Sequence, residues 1–340
     1  MRCSAASLVR QEPLAGTAPV ATRFLVVEYP GHWPSEPLDA FGAEARGWLK
    51  AATKAVHGQV LLVRRPGAPL LEPEAIRDLP LRWWVVDTDS RTQIDGSWTA
   101  EADLAAAASV LNGGAASDQP APPPASRGES PTARPAELAL LVCCHAKRDQ
   151  CCAIEGRPLA AALAERWPEA TWQCTHLGGH RFAPTFLVLP DGVCYGRVPA
   201  GEGPEVVAGQ LEGRVRADLL RGYCSQEGWE QAAVAHVLAV RQAGVGAALR
   251  QAQGPRSGRV PDGLAREEVA PGKVIPPVAG LAVTSRSLEP DVWTVTVTVG
   301  GAPYDVVVRA VHHPPVPLSC GDAPAKKSVS YIVAEGKRGS

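Results

Sequence analysis

Four of the nine cysteines in this 340-residue chain fall within ten residues, in CCHAKRDQCC: Cys143, Cys144, Cys151 and Cys152. Cys174 follows in CTHLGGH, which also supplies His176 and His180. Thiolate and imidazole are the soft and borderline donors that hold iron–sulfur clusters, zinc or copper. A disulfide framework fits poorly, because the count is odd and five of the thiols crowd into residues 143–174. In a reducing compartment such crowding points to metal or redox chemistry. Gly178 and Gly179 lie between the two histidines and let the backbone turn tightly, so both rings can enter one site. Chemistry alone leaves the thiol pair open: Cys143 with Cys152, or Cys144 with Cys151.

The elements that must carry these residues can be read from periodicity. RFLVVE (23–28), QVLLVRR (59–65) and RWWVVDT (82–88) are short apolar runs bounded by Pro, Gly and Asp, and read as strands. Helical spacing covers 38–56 and 100–111. Strands alternating with helices predict an α/β region over 1–112. Residues 113–135 hold six prolines and no large apolar side chain, so they read as a flexible linker. A second α/β pattern starts with ELALLVCCH (137–145), followed by a helix over 157–167 and a strand at 171–176. FAPTFLVLP and GVCYGRV flank Asp191-Gly192 and read as a hairpin. Helices are predicted over 204–221 and 227–243, and a loop over 251–263. The last part, within 226–340, adds strands at 291–299, 304–311 and 328–335 to its helix. Both halves open with a strand and a helix, although no sequence repeat is visible.

Composition narrows the function classes. There are 34 basic and 35 acidic residues, a formal net charge of -1, which argues against a nucleic-acid partner held by bulk charge. No apolar run reaches the ~20 residues of a membrane helix, and MRCSAASLVRQEPLAG lacks the apolar stretch of a signal peptide. The expectation is a cytoplasmic protein with no membrane partner. No G-x-G-x-x-G or Walker pattern is present, so a built-in nucleotide site is not expected. Trp83, Trp84, Trp167, Trp172 and Trp293 fit core positions. His312-His313 reads as a surface pair, and Cys3, Cys194, Cys224 and Cys320 as isolated or incidental cysteines.

VCCHAKRDQCCAIEGRPL (142–159) and CTHLGGHRFAPTFLVLPDGVCYGRV (174–198) resemble the sucrase/ferredoxin-like family, and CSAASLVRQEPLAGTA (3–18) is similar to that family's start. The resemblance implies an α/β fold with a thioredoxin-like ferredoxin domain over 136–225, flanked by the N-terminal α/β region and a C-terminal α+β region. It also implies a [2Fe–2S] cluster held by two Cys and two His. Cys143, His145, Arg148, Asp149 and Cys152 match the family's C-x-H-x-x-R-D-x-x-C stretch, and His176 and His180 match its H-x-G-G-H. The implied ligands are therefore Cys143, Cys152, His176 and His180, with Cys144 and Cys151 as competitors. Cys174 and His145 read as neighbours of the site.

The function this implies is one-electron transfer. Two neutral imidazoles in place of thiolates remove negative charge and raise the potential above that of an all-Cys ferredoxin. Proton loss from the outer ring nitrogens would couple that potential to pH. Arg148 and Arg181 can set positive charge near the cluster or bind a partner's acidic rim, and Arg148 can instead pair with Asp149 or another carboxylate; Gly178 and Gly179 can turn backbone N–H groups toward sulfide. A separate reductase and a separate acceptor protein would be needed. The competing readings are a Cys2His2 structural zinc site and a thiol-redox enzyme of thioredoxin-like fold, though no C-x-x-C is present. The sucrase of the family label has no support, because no carboxylate pair for glycoside cleavage stands out.

Overall fold

The computed structural model describes residues 2–77, 79–113, 132–252, 280–321 and 324–335. In chain order the elements are α1 (Cys3–Val9), β1 (Arg23–Glu28), α2 (Ala43–Val56), β2 (Gln59–Arg64), α3 (Pro73–Ile76), β3 (Leu81–Asp87), β4 (Thr92–Trp98) and α4 (Leu104–Leu111). There follow β5 (Arg134–Pro135), β6 (Ala139–Cys143), α5 (Gln150–Arg166), β7 (Thr171–Cys174), β8 (Thr185–Leu189), β9 (Val193–Gly196), α6 (Gly203–Leu211), β10 (Leu220–Tyr223) and α7 (Gly228–Ala252). Four long strands complete the chain: β11 (Ala282–Glu289), β12 (Val292–Val299), β13 (Ala302–Val316) and β14 (Lys326–Glu335). Among the described residues no helix is long and apolar enough to cross a membrane.

Ten strands form one mixed sheet in the order β10-β9-β8-β6-β7-β2-β1-β3-β4-β5. Its two halves share one plan. In the first, β1 pairs parallel with β2 and antiparallel with β3, which pairs with β4. In the second, β6 pairs parallel with β7 and antiparallel with β8, which pairs with β9. The halves join antiparallel at β2 and β7, with Val63 opposite Cys174 and Arg64 opposite Gln173. A four-stranded antiparallel sheet, β11-β12-β13-β14, packs against α7.

Alternation along the strands divides the core. Leu25 and Val27 join Leu49 of α2 and Leu104 of α4, while Leu140 and Val142 join Leu159 and Leu163 of α5. Phe24, Val26, Leu61, Val63, Trp84, Leu141, Cys143, Cys174 and Leu187 point to the opposite face, which draws only Cys152 from a helix. That face is closed by loops of the two halves. The Ala21 N–H bonds the Cys224 carbonyl at 2.8 Å, and Arg91 pairs with Asp191 at 2.6 Å, so distant edges meet.

Several expectations need correction. The helix expected over 204–221 stops at Leu211, and Leu220–Tyr223 is a strand paired with β9. A tight turn at Gly213, with φ +77°, ends the helix. The helix expected from 157 begins at Gln150, with Pro158 inside it, because Asp149 caps it earlier than the proline suggests. β4 and β11 were not read from the sequence. Of the linker, residues 114–131 lie outside the described residues, and Arg134–Pro135 pairs with β4. Most of the predicted loop over 251–263 also lies outside them.

Gly156 sets how closely α5 approaches β6. A Cβ there would lie 2.1 Å from the Cys143 carbonyl oxygen and 3.3 Å from Cys144 Sγ. Gly156→Ala should lower unfolding free energy by about 1–3 kcal/mol through overpacking, despite alanine's better helix propensity. Urea melts measure this; an unchanged or raised midpoint would show that α5 can shift without loss.

Candidate metal centre

The centre is built where three chain segments leave the sheet. β6 ends at Cys143. Because strand side chains alternate, Cys143 faces the loop-covered side and Cys144 faces α5 in the other core. Residues 144–149 turn back into α5, whose cap is the Asp149 carboxylate accepting the Cys151 N–H at 2.9 Å. Cys151 and Cys152 therefore occupy the first turn and, about 100° apart around the helix, face different neighbours. β7 ends at Cys174 opposite Cys143 in parallel register. Thr175 exchanges hydrogen bonds with the Leu62 backbone, at 2.9 and 3.0 Å, so β2 holds the base of the loop bearing His176.

Cys143 Sγ lies 3.8 Å and Cys152 Sγ 3.7 Å from His176 Nδ1, and all three donor atoms are within 4.8 Å of one another. Both thiols are 1% exposed, whereas His176 and His180 are half-buried. His180 lies behind His176: its Nδ1 is 3.3 Å from His176 Nε2, and the rings stack with centroids 5.1 Å apart. On its far side, His180 Nε2 is 2.9 Å from Ser319 Oγ and 3.9 Å from Asp149 Oδ2. The structure thus draws three of the four expected donors together and attaches the fourth through the first histidine. The donor set of two thiols and two imidazoles is one that an iron–sulfur cluster or zinc accepts.

Electrostatics distinguish the two thiols. Hydrogen bonding from the Cys152 thiol, outweighing burial and aided by His176 and the Leu177 N–H, holds Cys143 well below its ordinary value. The same bond, with burial, pushes Cys152 up. Thiolate is the form in which a cysteine binds a metal. Burial pushes Cys144 and Cys174 up. It also pulls His180 down, as does the neighbouring His176.

Gly178 and Gly179 have φ of +77° and +67°, which non-glycine residues adopt only with strain. Gly179 also has no room: a Cβ would lie 2.5 Å from Arg221 Nη2. Arg221 is 1% exposed and donates to the Gly178 carbonyl at 3.0 Å, to Thr17 and toward Cys194 Sγ at 3.4 Å. It fixes the histidine loop, and sequence reading missed it because nothing adjacent in sequence signals that role.

Arg148 pairs with Glu36, and Arg181 with Glu12 at 2.7 Å. A carboxylate partner was expected for Arg148, and it is Glu36 rather than Asp149; the pairing of Arg181 with Glu12 was not expected. His145 is buried against Trp33 and bonds the Pro34 carbonyl through Nε2 at 2.8 Å. Burial holds its pKa below the ordinary value. At the far sheet, His312 meets Asp291 and His313 meets Ser330, so that pair does not converge.

One expectation is overturned. Cys3 and Cys320 are not isolated: they meet Cys151, with Cys151 Sγ 3.5 Å from Cys3 Sγ and 3.3 Å from Cys320 Sγ. Their separation along the chain gave no local signal.

A family model described as sucrase/ferredoxin-like matches residues 14–222, which include the cysteine pairs and both histidines. No curated protein and no solved structure matches the chain. The family match spans more than half of the sequence, and the chain belongs to the sucrase/ferredoxin-like family.

Proposed function

We propose that this protein is a one-electron carrier of thioredoxin-like ferredoxin type, holding a [2Fe–2S] cluster through Cys143, Cys152, His176 and His180. The observation that carries the proposal is the buried convergence of Cys143, Cys152 and His176, with His180 bonded behind it. The strand order β7-β6-β8-β9, with one parallel and two antiparallel pairings, supports the thioredoxin-like part of the reading. When bound, the cluster supplies a site that accepts and returns one electron.

The remaining roles belong to the chain. Cys143 offers a thiolate, and the first turn of α5 presents Cys152 where the helix dipole favours negative charge. Arg221 and the two glycines hold the histidine loop in one shape. The half-buried histidines form the edge nearest solvent, where a reductase and an acceptor can approach. Their paired ring nitrogens suit a potential that moves with pH. A second reading is structural zinc, favoured by one observation: the three closest donors are spread as around a single ion.

Anaerobically prepared full-length protein should be red-brown, contain iron and acid-labile sulfide in equal amounts, and give an EPR signal after dithionite reduction. Colourless protein with stoichiometric zinc at this site would replace the cluster with the second reading. Cys143→Ser and Cys152→Ser should each lose most of the iron, while Cys144→Ser should retain it because that thiol faces the other core. His176→Cys and His180→Cys should keep a cluster and lower its potential, since each thiolate restores negative charge. A potential that does not move in either variant removes that histidine from the ligand set.

A further inference from the structure

Cys3, Cys151, Cys320 and Asp149 form a second cluster of donors, distinct from the one above. Cys3 begins α1, Cys151 lies in the first turn of α5, and Cys320 follows β13 by four residues. Their donor atoms and an Asp149 oxygen all lie within 4.8 Å of one another. Cys151 Sγ is 3.5 Å from Cys3 Sγ and 3.3 Å from Cys320 Sγ, and Cys3 Sγ is 3.6 Å from both Asp149 oxygens. Cys3 and Cys151 are 3% and 0% exposed, and Cys320 is half-buried. The family match at 14–222 contains Asp149 and Cys151 but neither Cys3 nor Cys320.

We infer that these four residues bind a zinc ion through three thiolates and one carboxylate oxygen. Donors at 2.0–2.3 Å from a tetrahedral zinc sit roughly 3.5–3.8 Å from one another, close to the separations here. The carboxylate is already aimed. It accepts the Cys320 N–H at 2.7 Å through one oxygen and the Cys151 N–H at 2.9 Å through the other. Zinc binding releases three thiol protons to solvent as three Zn–S bonds form. A carboxylate beside three sulfurs suits zinc(II) better than copper(I), which prefers sulfur alone. Further polar contacts are Ser4 Oγ at 3.3 Å from Cys151 Sγ, the Cys3 N–H at 3.3 Å from Cys320 Sγ and His180 Nε2 at 3.9 Å from Asp149 Oδ2. A disulfide can join only two of the three sulfurs, and the separations exceed its ~2.05 Å bond length.

The test uses the full chain, kept anaerobic, loaded with zinc and freed of excess by gel filtration. The readouts are zinc content and zinc-edge X-ray absorption of a Cys143→Ala/Cys152→Ala variant, which disables the first site. Expected is stoichiometric zinc with three sulfur neighbours and one oxygen. Adding Cys3→Ala or Cys320→Ala should lower zinc affinity by more than about a hundredfold, beyond the loss from removing an outer hydrogen-bond partner. In the otherwise wild-type chain those two substitutions should leave iron and visible absorption at the first site unchanged. The inference is overturned if the first-site variant, folded by circular dichroism, takes up no zinc. It is also overturned if zinc persists without Cys3 and Cys320, or if mass spectrometry of the anaerobic protein finds two of the three thiols joined as a disulfide.

Discussion

The Asp149 carboxylate accepts the Cys151 N–H and the Cys320 N–H, and it lies 3.9 Å from His180. Through the first bond it fixes where α5 begins, and so which way Cys151 and Cys152 face. Through the second it holds the 318–321 segment over the histidine loop, where Ser319 meets His180. A buried carboxylate needs such donors, because without them its desolvation would cost several kcal/mol. Replacing it would change two thiol clusters and one histidine together, since all three take their geometry from one side chain.

The fold supports this point from two sides. The N-terminal half contributes no donor to the first centre, yet β2 braces β7 and bonds the backbone at Thr175, one residue before His176. The helix face is packed to the level where a single Cβ at Gly156 has no space. Cys143 and Cys152 are therefore brought together by strand end, helix cap and helix–strand approach, none of which depends on metal. A preformed site of this kind binds without large ordering of the chain.

Much of this was legible in the sequence, for identifiable reasons. Strands such as Arg23–Glu28 and Leu81–Asp87 are buried on both faces and read as continuous apolar runs. The cysteine and histidine motifs were visible because their members are close in sequence. β4 was hidden because its outward residues are polar and Gly96 replaces a side chain that the Trp83 ring would meet at 2.1 Å. The strand at Leu220–Tyr223 was hidden within a run whose apolar spacing suits a helix. Alternation at a strand end separates Cys143 from Cys144, and no composition rule states where that strand stops. Cys3 and Cys320 carry no local pattern; only the folded chain brings them to Cys151.

The joint between β2 and β7 has a further consequence. Each of these strands ends the five-stranded array of its own half, and taken alone either would present a row of unpaired backbone donors and acceptors. Such edges template pairing with other chains. Here each half occupies the other's vulnerable edge, and Val63 and Cys174 sit at the seam with no accessible surface. The first half, which brings no donor to the Cys143–Cys152–His176 group, thus acts as a permanent internal partner: it keeps the second half from recruiting a stranger's strand beside the loop that carries His176.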